Sequence, residues 1–298
     1  MNTGYLDQEV AYLLGLLVAR GELHETGIVI HFPKGALIAE GETTKFDINK
    51  EIQLGIDRTR ERLAELLGAD LKRVDAGDSW DLIASTTRKT MSWRNIGRLL
   101  EGKTDFSTFE VPSILLEKDT PPMLKFEFIR GFADVAGNVR PANLDYAGRH
   151  RIRLDIMNRP TNWKLPVHLC LLLQDHLSVP VPVITWGHPN LGREWREHQL
   201  NVYAEDFVSI GFSFDFKNQA LTELAKSNQN RFNSKVKGCP GARSLRAKKP
   251  RNPEEKNRER LDSKLLNKHF NAYWQICRAL GCPRRPAPKE QMELIPEV

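Results

Sequence analysis

The stretch Ala11-Tyr12-Leu13-Leu14-Gly15-Leu16-Leu17-Val18-Ala19-Arg20-Gly21 reads as a short apolar helix with one glycine inside it and one at its exit. Its pattern returns in Phe128-Ile129-Arg130-Gly131-Phe132-Ala133-Asp134-Val135-Ala136-Gly137, where both glycines recur after the same interval of 116 residues (131 − 15 and 137 − 21). A glycine in a helix interior costs roughly 1 kcal/mol against alanine, so two at matching positions ask for a reason. The reading adopted is two helices pressed backbone to backbone, each closed by a glycine in the left-handed conformation.

Working outward, the chain divides into two halves with the same order of elements. In the first, a helix over Asp7 to Arg20 is followed by a strand at Ile28 to Phe32, stopped by Pro33-Lys34-Gly35. Thr43 to Asn49 alternates polar and apolar and reads as a second strand. A helix over Ile56 to Leu67, a strand pair around Gly77-Asp78 and a short helix from Ser92 to Leu100 complete it. In the second, Pro121-Pro122 opens the glycine helix and Asn138-Val139-Arg140 starts a strand, with the plainest strand at Arg149 to Met157. A helix from Asn162 to Leu177, strands at Val181 to Trp186 and Gln199 to Tyr203, and a helix over Asn218 to Lys226 follow. The fold expected is α+β, two α-β-β-α-β-β-α repeats over residues 1–120 and 121–226, with residues 227–298 as a basic arm and a final helix.

Charge narrows the choice of partner. The chain has 298 residues and a net charge of +6, but residues 226–260 hold 12 Lys/Arg against 3 Asp/Glu. That segment therefore carries +9 and the remainder −3, the distribution of a polyanion-binding arm on a near-neutral body; a solvated linker has the same composition. Arg149-His150-Arg151-Ile152-Arg153-Leu154-Asp155-Ile156 sharpens the point. Strand alternation puts Arg149, Arg151, Arg153 and Asp155 on one face and the aliphatic residues on the other. Guanidinium forks match guanine O6 and N7 as well as phosphate, although acidic neighbours on an adjacent strand would also account for the row. Lys45, Asp47 and Asn49 form a weaker polar face, as do Gln199, Asn201 and Tyr203.

Other function classes find little support. No uncharged 18-residue run marks a membrane span, and no leader pattern marks secretion, so a cytoplasmic or organellar-matrix protein is expected. Cys170, Cys239, Cys277 and Cys282 are too scattered for a disulfide framework. Cys239, His269, Cys277 and Cys282 lack knuckle spacing, so zinc is not expected. Gly-x-Ser-x-Gly, phosphate-loop and dinucleotide signatures are absent. His24 with His31, and His168 with His176, show no carboxylate arrangement that lifts them above core or surface histidines.

The twin glycine helices and the repeated element order, over roughly residues 7–226, resemble the LAGLIDADG homing endonucleases in their single-chain, two-motif form. The resemblance implies motif helices packed at the centre, two antiparallel sheets forming a saddle on duplex DNA, and divalent metal held by the acidic residue before each final glycine. Those positions are Arg20 and Ala136 here, and neither can hold Mg²⁺. The nearest replacements for a catalytic, metal-binding pair are Glu22 and Asp134, with Asp145 behind them; yet a residue two positions back on a helix points roughly 200° away. Arg20 would instead attract phosphate, and Arg193, Arg196, Lys235, Lys237, Lys248 and Lys249 join Lys45, Arg149, Arg151 and Arg153 as DNA contacts. The expected function is site-specific duplex-DNA binding without the usual cleavage centre, as a regulator or the recognition part of a restriction or recombination system. Two alternatives stay open: a Mg²⁺-dependent endonuclease with a rebuilt site, and an RNA-binding splicing maturase. A second protein subunit that supplies catalysis stays open too.

Overall fold

A computed structural model of the chain describes residues 5–44, 48–145, 148–157, 164–188 and 197–231; for residues 48, 49, 164, 183–188 and 197 it describes the backbone only. The protein is α+β, with two antiparallel sheets around a central helix pair. Helix α1 (Gln8–Arg20) begins at Asp7, whose carboxylate accepts from the Val10 N–H at 2.8 Å, an ordinary N-cap. Every residue from Val10 to Arg20 is buried, as a helix that is apolar all round must be. Helix α5 (Pro122–Ala136), with proline in its first turn, packs directly against it.

The glycines explain how closely. A Cβ on Gly15 would stand 2.1 Å from the Phe128 carbonyl oxygen, and one on Gly131 would stand 2.2 Å from that of Tyr12. Each helix thus occupies the space a side chain would need on the other. The exit glycines work differently from the expected left-handed caps. Gly21 has φ −113° and Gly137 has φ −82°, both extended. Glycine is needed there for close approach, because a Cβ would meet Leu17 Cα at 2.5 Å or the Ala133 carbonyl oxygen at 2.5 Å. With φ negative, the chain passes straight from each helix into a strand.

That exit decides the first sheet. Strands β1 (Gly21–His24) and β2 (Gly27–Pro33) form a hairpin around Glu25-Thr26, with Glu22 opposite Val29. The sequence reading missed β1 and put the second strand at Thr43 to Asn49. Instead, helix α3 (Ile48–Leu67) already includes Ile48 and Asn49, and residues 45–47 lie outside the described residues. A short helix α2 (Lys34–Leu37) follows β2. Strands β3 (Leu71–Asp75) and β4 (Ser79–Ala84) complete a sheet of order β1-β2-β4-β3, and helix α4 (Met91–Leu99) is capped by Thr90.

The second half forms a sheet of matching strand order. Strand β5 (Gly137–Asn138) leaves α5 and pairs with β6 (Arg151–Met157); β7 (Val183–His188) and β8 (Glu197–Tyr203) give the order β5-β6-β8-β7. Helix α6 (Lys164–Leu171) runs on as a π-helical turn, Leu172–His176, and carries the buried Cys170. After the short α7 (Ala204–Phe207), helix α8 (Asp215–Arg231) passes through residue 226 without a break. One apolar cluster joins both halves, with Phe32 and Phe214 at 6.2 Å between ring centroids. Among the described residues no helix is long and apolar enough to cross a membrane.

Candidate nucleic-acid interface

The ends of α1 and α5 come first, because any catalytic metal expected from the resemblance would sit there. Ala136 is buried and offers no donor. Arg20, expected as a phosphate contact, is only 7% exposed. Its guanidinium donates to the Ala19 carbonyl at 2.6 Å and to the Asp155 carbonyl at 3.4 Å, with the Phe106 ring 5.7 Å away. A cation in that place faces the negative end of its own helix, so Arg20 joins α1 to β6 rather than presenting charge outward.

Asp134 is fully buried and committed to the core. Its carboxylate accepts from the Tyr12 hydroxyl at 2.7 Å and from the Ser213 N–H at 2.9 Å. Lys217, also fully buried, donates to the backbone carbonyls of Asp134 (2.8 Å) and Gly137 (2.9 Å). Burial raises the Asp134 carboxyl pKa, partly offset by Lys217, and pushes the Lys217 amine down to about 8. Glu22 lies elsewhere, on β1, where its carboxylate meets His24 Nε2 at 3.0 Å and His31 Nε2 at 3.6 Å. The structure therefore does not join Glu22 and Asp134 in one site. Asp145 is engaged too, accepting from the Arg149 N–H and the Tyr203 hydroxyl. Among the described residues no group of three or more His, Cys, Asp or Glu side chains is arranged to hold a metal ion. These residues do not fit a divalent cation of the kind the resemblance implies, and Glu22 and Asp134 are not placed as its ligands.

The second sheet carries the arginines. Ile152, Leu154 and Ile156 face the core at 1% exposure or less, which turns Arg151, Arg153 and Asp155 to the other side. On that side Tyr203 stands opposite Arg151, Asn201 and Asn138 opposite Arg153, and Gln199 opposite Asp155. The guanidiniums have different surroundings. Arg149 precedes the strand; it pairs with Glu205 and lies over the Tyr203 ring, 3.8 Å from its centroid. Asp145 and burial together raise the Tyr203 hydroxyl, burial most, to about 12. Arg153 is held by its strand neighbour Asp155, at 2.7 and 3.0 Å. Among the described residues Arg151 donates only to a backbone carbonyl, that of Leu144, at 2.6 Å, and its buried Nε has no partner there. Burial lowers its pKa, against the pull of Asp145 and Tyr203. Among the described residues no carboxylate forms an ion pair with Arg151.

Beneath Arg149 lies a polar network that the sequence reading did not find. His150 is 3% exposed and meets Glu42 at 2.9 Å, while Asn228 on α8 exchanges hydrogen bonds with the His150 backbone in both directions. Ser227 also donates to Glu42, at 2.7 Å. Only a buried histidine within an arginine-rich strand hinted at it. Also missed was the grouping of His24 and His31 with carboxylates: Glu22 lies beside both, and Asp81 is 2.9 Å from His31 Nδ1. Lys45, Arg193, Arg196, Lys235, Lys237, Lys248 and Lys249 lie outside the described residues, as do Cys239, His269, Cys277 and Cys282.

No protein-family model matches the chain, and no curated protein sequence is significantly similar to it. Among solved structures it is similar to full-length DUF199/WhiA from Thermatoga maritima, at 14% identity and a TM-score of 0.44 over 77% of this chain and 63% of that one. The chain thus spans less than two thirds of that protein. It is also similar to the N-terminal LAGLIDADG domain of DUF199/WhiA (13% identity, 70% of this chain, 83% of that one, TM-score 0.39). A third likeness is to I-DmoI, solved in complex with DNA and Ca (20% identity, 68% of this chain, 87% of that one, TM-score 0.38).

Proposed function

We propose that the protein binds double-stranded DNA in a site-specific manner through the outward faces of its sheets, and that it does not cut it. The observation that carries this reading is Arg151. It is a guanidinium held on a central strand, partly desolvated, donating to the Leu144 carbonyl and, among the described residues, in no ion pair with a carboxylate. Such a group gains most from an incoming anion or a guanine edge, where a bidentate fork discriminates by about 1–3 kcal/mol. The +9 charge of residues 226–260 supports the same partner through phosphate neutralisation.

The absence of cleavage rests on the helix ends. Arg20 and Ala136 replace the acids, and the Asp134 carboxylate is already bonded to Tyr12 and Ser213 inside the core. Two-metal cleavage needs carboxylates that can reach cations about 4 Å apart. The role that follows is a regulator or the recognition component of a larger system.

The test uses a duplex obtained by selection from random sequence. Replacing both Arg151 and Arg153 with alanine is expected to weaken specific binding by about ten- to a hundredfold and to lower the slope of log K against log salt by about one to two. Unchanged affinity and slope would remove this sheet from the interface. Nicking of supercoiled plasmid that needs both this chain and Mg²⁺ or Mn²⁺ would overturn the non-cleaving part.

A further inference from the structure

The first sheet has an outward face of another character. Leu23, Ile28, Ile30, Phe32, Leu82 and Ala84 turn to the core at 4% exposure or less. Strand alternation and register then put Glu22, His24, His31 and Asp81 together on the other side. They form a connected chain. His24 Nε2 is 3.0 Å from one Glu22 oxygen, and His31 Nε2 is 3.6 Å from the other. His31 Nδ1 is 2.9 Å from Asp81 Oδ1, which also accepts from the Ser79 hydroxyl at 2.7 Å. The side chains of His24 and His31 are 52% and 28% exposed, so both are open to solvent.

The surrounding charges are few. Lys72 on β3 stands across from Ile83 of this face. Asp105 bridges the Glu22 backbone, and its carboxylate accepts from the Ser107 N–H. Trp93 Nε1 donates to the His24 carbonyl, and Glu25 pairs with Arg88 at the hairpin tip. With neutral imidazoles, Glu22 and Asp81 present two negative charges to whatever approaches, and a phosphate backbone would be repelled. With both imidazoles protonated, those two charges are balanced. His31 then donates to Asp81 through Nδ1 and can donate to Glu22 through Nε2. The remaining carboxylate lone pairs are suited to a cytosine amino group. Histidine is the side chain that makes this change between about pH 5 and 8.

We infer that this face is a second, proton-linked contact for duplex DNA, with His24 and His31 taking up protons as the complex forms. The inference rests on the DNA-binding reading above. It divides the interface into two chemically distinct parts: fixed guanidinium charge on the second sheet, and charge conditional on pH on the first. The polyanion itself favours protonation of nearby imidazoles, so binding and proton uptake are linked in both directions.

The full chain is titrated with the selected duplex by fluorescence anisotropy at constant ionic strength, from about pH 8 to about pH 6. Affinity is expected to rise tenfold or more as pH falls, with a slope of log K against pH between about −1 and −2 for up to two protons. His24→Gln with His31→Gln is expected to bind with a flat profile. Glu22→Gln with Asp81→Asn is expected to bind more tightly than wild type at about pH 8, because the two negative charges that repel phosphate there are gone; unchanged affinity at that pH would overturn the inference even if the histidine variant does not fold. Arg151→Ala with Arg153→Ala should keep the pH slope while losing salt slope. A wild-type profile flat in pH overturns the inference, as does a slope that survives loss of both histidines. No binding at any pH defeats the DNA reading itself, an outcome distinct from either.

Discussion

Alanine at Gly15 would place a methyl group where the facing helix already has backbone: 2.1 Å from Phe128 O, 2.7 Å from Phe132 N and 3.0 Å from Phe128 C. None of these atoms can swing aside as a side chain could. Restoring an ordinary contact of about 3.4 Å to that oxygen means opening the helix pair locally by about 1.3 Å. A gap of 0.5–1 Å already forfeits about a quarter to a half of each dispersion contact. The seam concerned is lined by large, fully buried side chains, including Tyr12, Phe128 and Phe132. Losses of this kind run to roughly 3–5 kcal/mol, and the better helix propensity of alanine returns only about 1 kcal/mol. A net destabilisation of about 2–4 kcal/mol is a large part of the roughly 5–15 kcal/mol that holds a domain folded. Guanidinium denaturation followed by tryptophan fluorescence reads it as a lower midpoint. Gly35→Ala is the control, since a Cβ there meets nothing within 4 Å. Gly131→Ala is expected to match Gly15→Ala, because its Cβ would meet Tyr12 O at 2.2 Å. The double variant should cost less than the sum, since a helix pair already parted has room for the second methyl. Gly15→Ala as stable as Gly35→Ala, or strictly additive losses, would refute the close-packed seam.

Two further perturbations probe buried charge. Lys217→Met leaves the Asp134 and Gly137 carbonyls without their donor and the Asp134 carboxylate without its cation, at an expected loss of about 3–5 kcal/mol in chemical denaturation. Burial, working against Asp134, holds the Lys217 amine at about 8, below its ordinary 10.5. The folded state therefore releases that proton first, so this group favours folding increasingly from pH 8 upward and the benefit is lost as pH falls through about 8; the methionine variant should lack this rise. His176 has its pKa lowered by burial and then by Lys125, whose ammonium lies 2.8 Å from Nδ1. Its neutral form is the folded one, so its contribution is full above the ordinary 6.5 and is lost as pH falls below it. His176→Gln is expected to flatten the decline in thermal midpoint just below pH 6.5, and an unchanged decline would assign it to other groups.

The parts of the fold legible in the sequence were those whose signal is local and repeated. Two glycines at one spacing, met twice, identify the helix pair because nothing else explains glycine in the middle of an apolar helix. Ile152, Leu154 and Ile156 alternate with arginines, and β6 forms where that alternation says. Strand β1 was not legible because its four residues are too few for a period to emerge, and because it depends on Gly21 being extended rather than left-handed. The stretch Thr43 to Asn49 misled for the opposite reason: its alternation is real, but Ile48 and Asn49 belong to the first turn of α3. The pairing of His31 with Asp81 joins β2 to β4, residues 50 apart in the chain (81 − 31), and only the register brings them together. Arg20 shows a further limit, since its type says phosphate while its place, against Ala19 and Asp155 carbonyls, says helix end.

Asp134 is committed to the core by its hydrogen bonds rather than held at the helix ends. The helical twist sends a residue two positions before Ala136 roughly 200° around the axis, away from the end where the acids of a nuclease would meet. In the folded chain that direction leads inward, to Tyr12 on α1 and Ser213 ahead of α8, with Lys217 closing the end of α5. Turning Asp134 outward to hold a cation would leave the Tyr12 hydroxyl and the Ser213 N–H without acceptors and Lys217 without its counter-charge. Each orphaned polar group would cost about 1–3 kcal/mol, and the unpaired cation more. The carboxylate that ties the glycine helices to α8 is therefore unavailable to a metal in the same fold. A cleavage centre on this chain would need acids from outside the helix pair, whereas a binding face needs only the sheets that the pair supports.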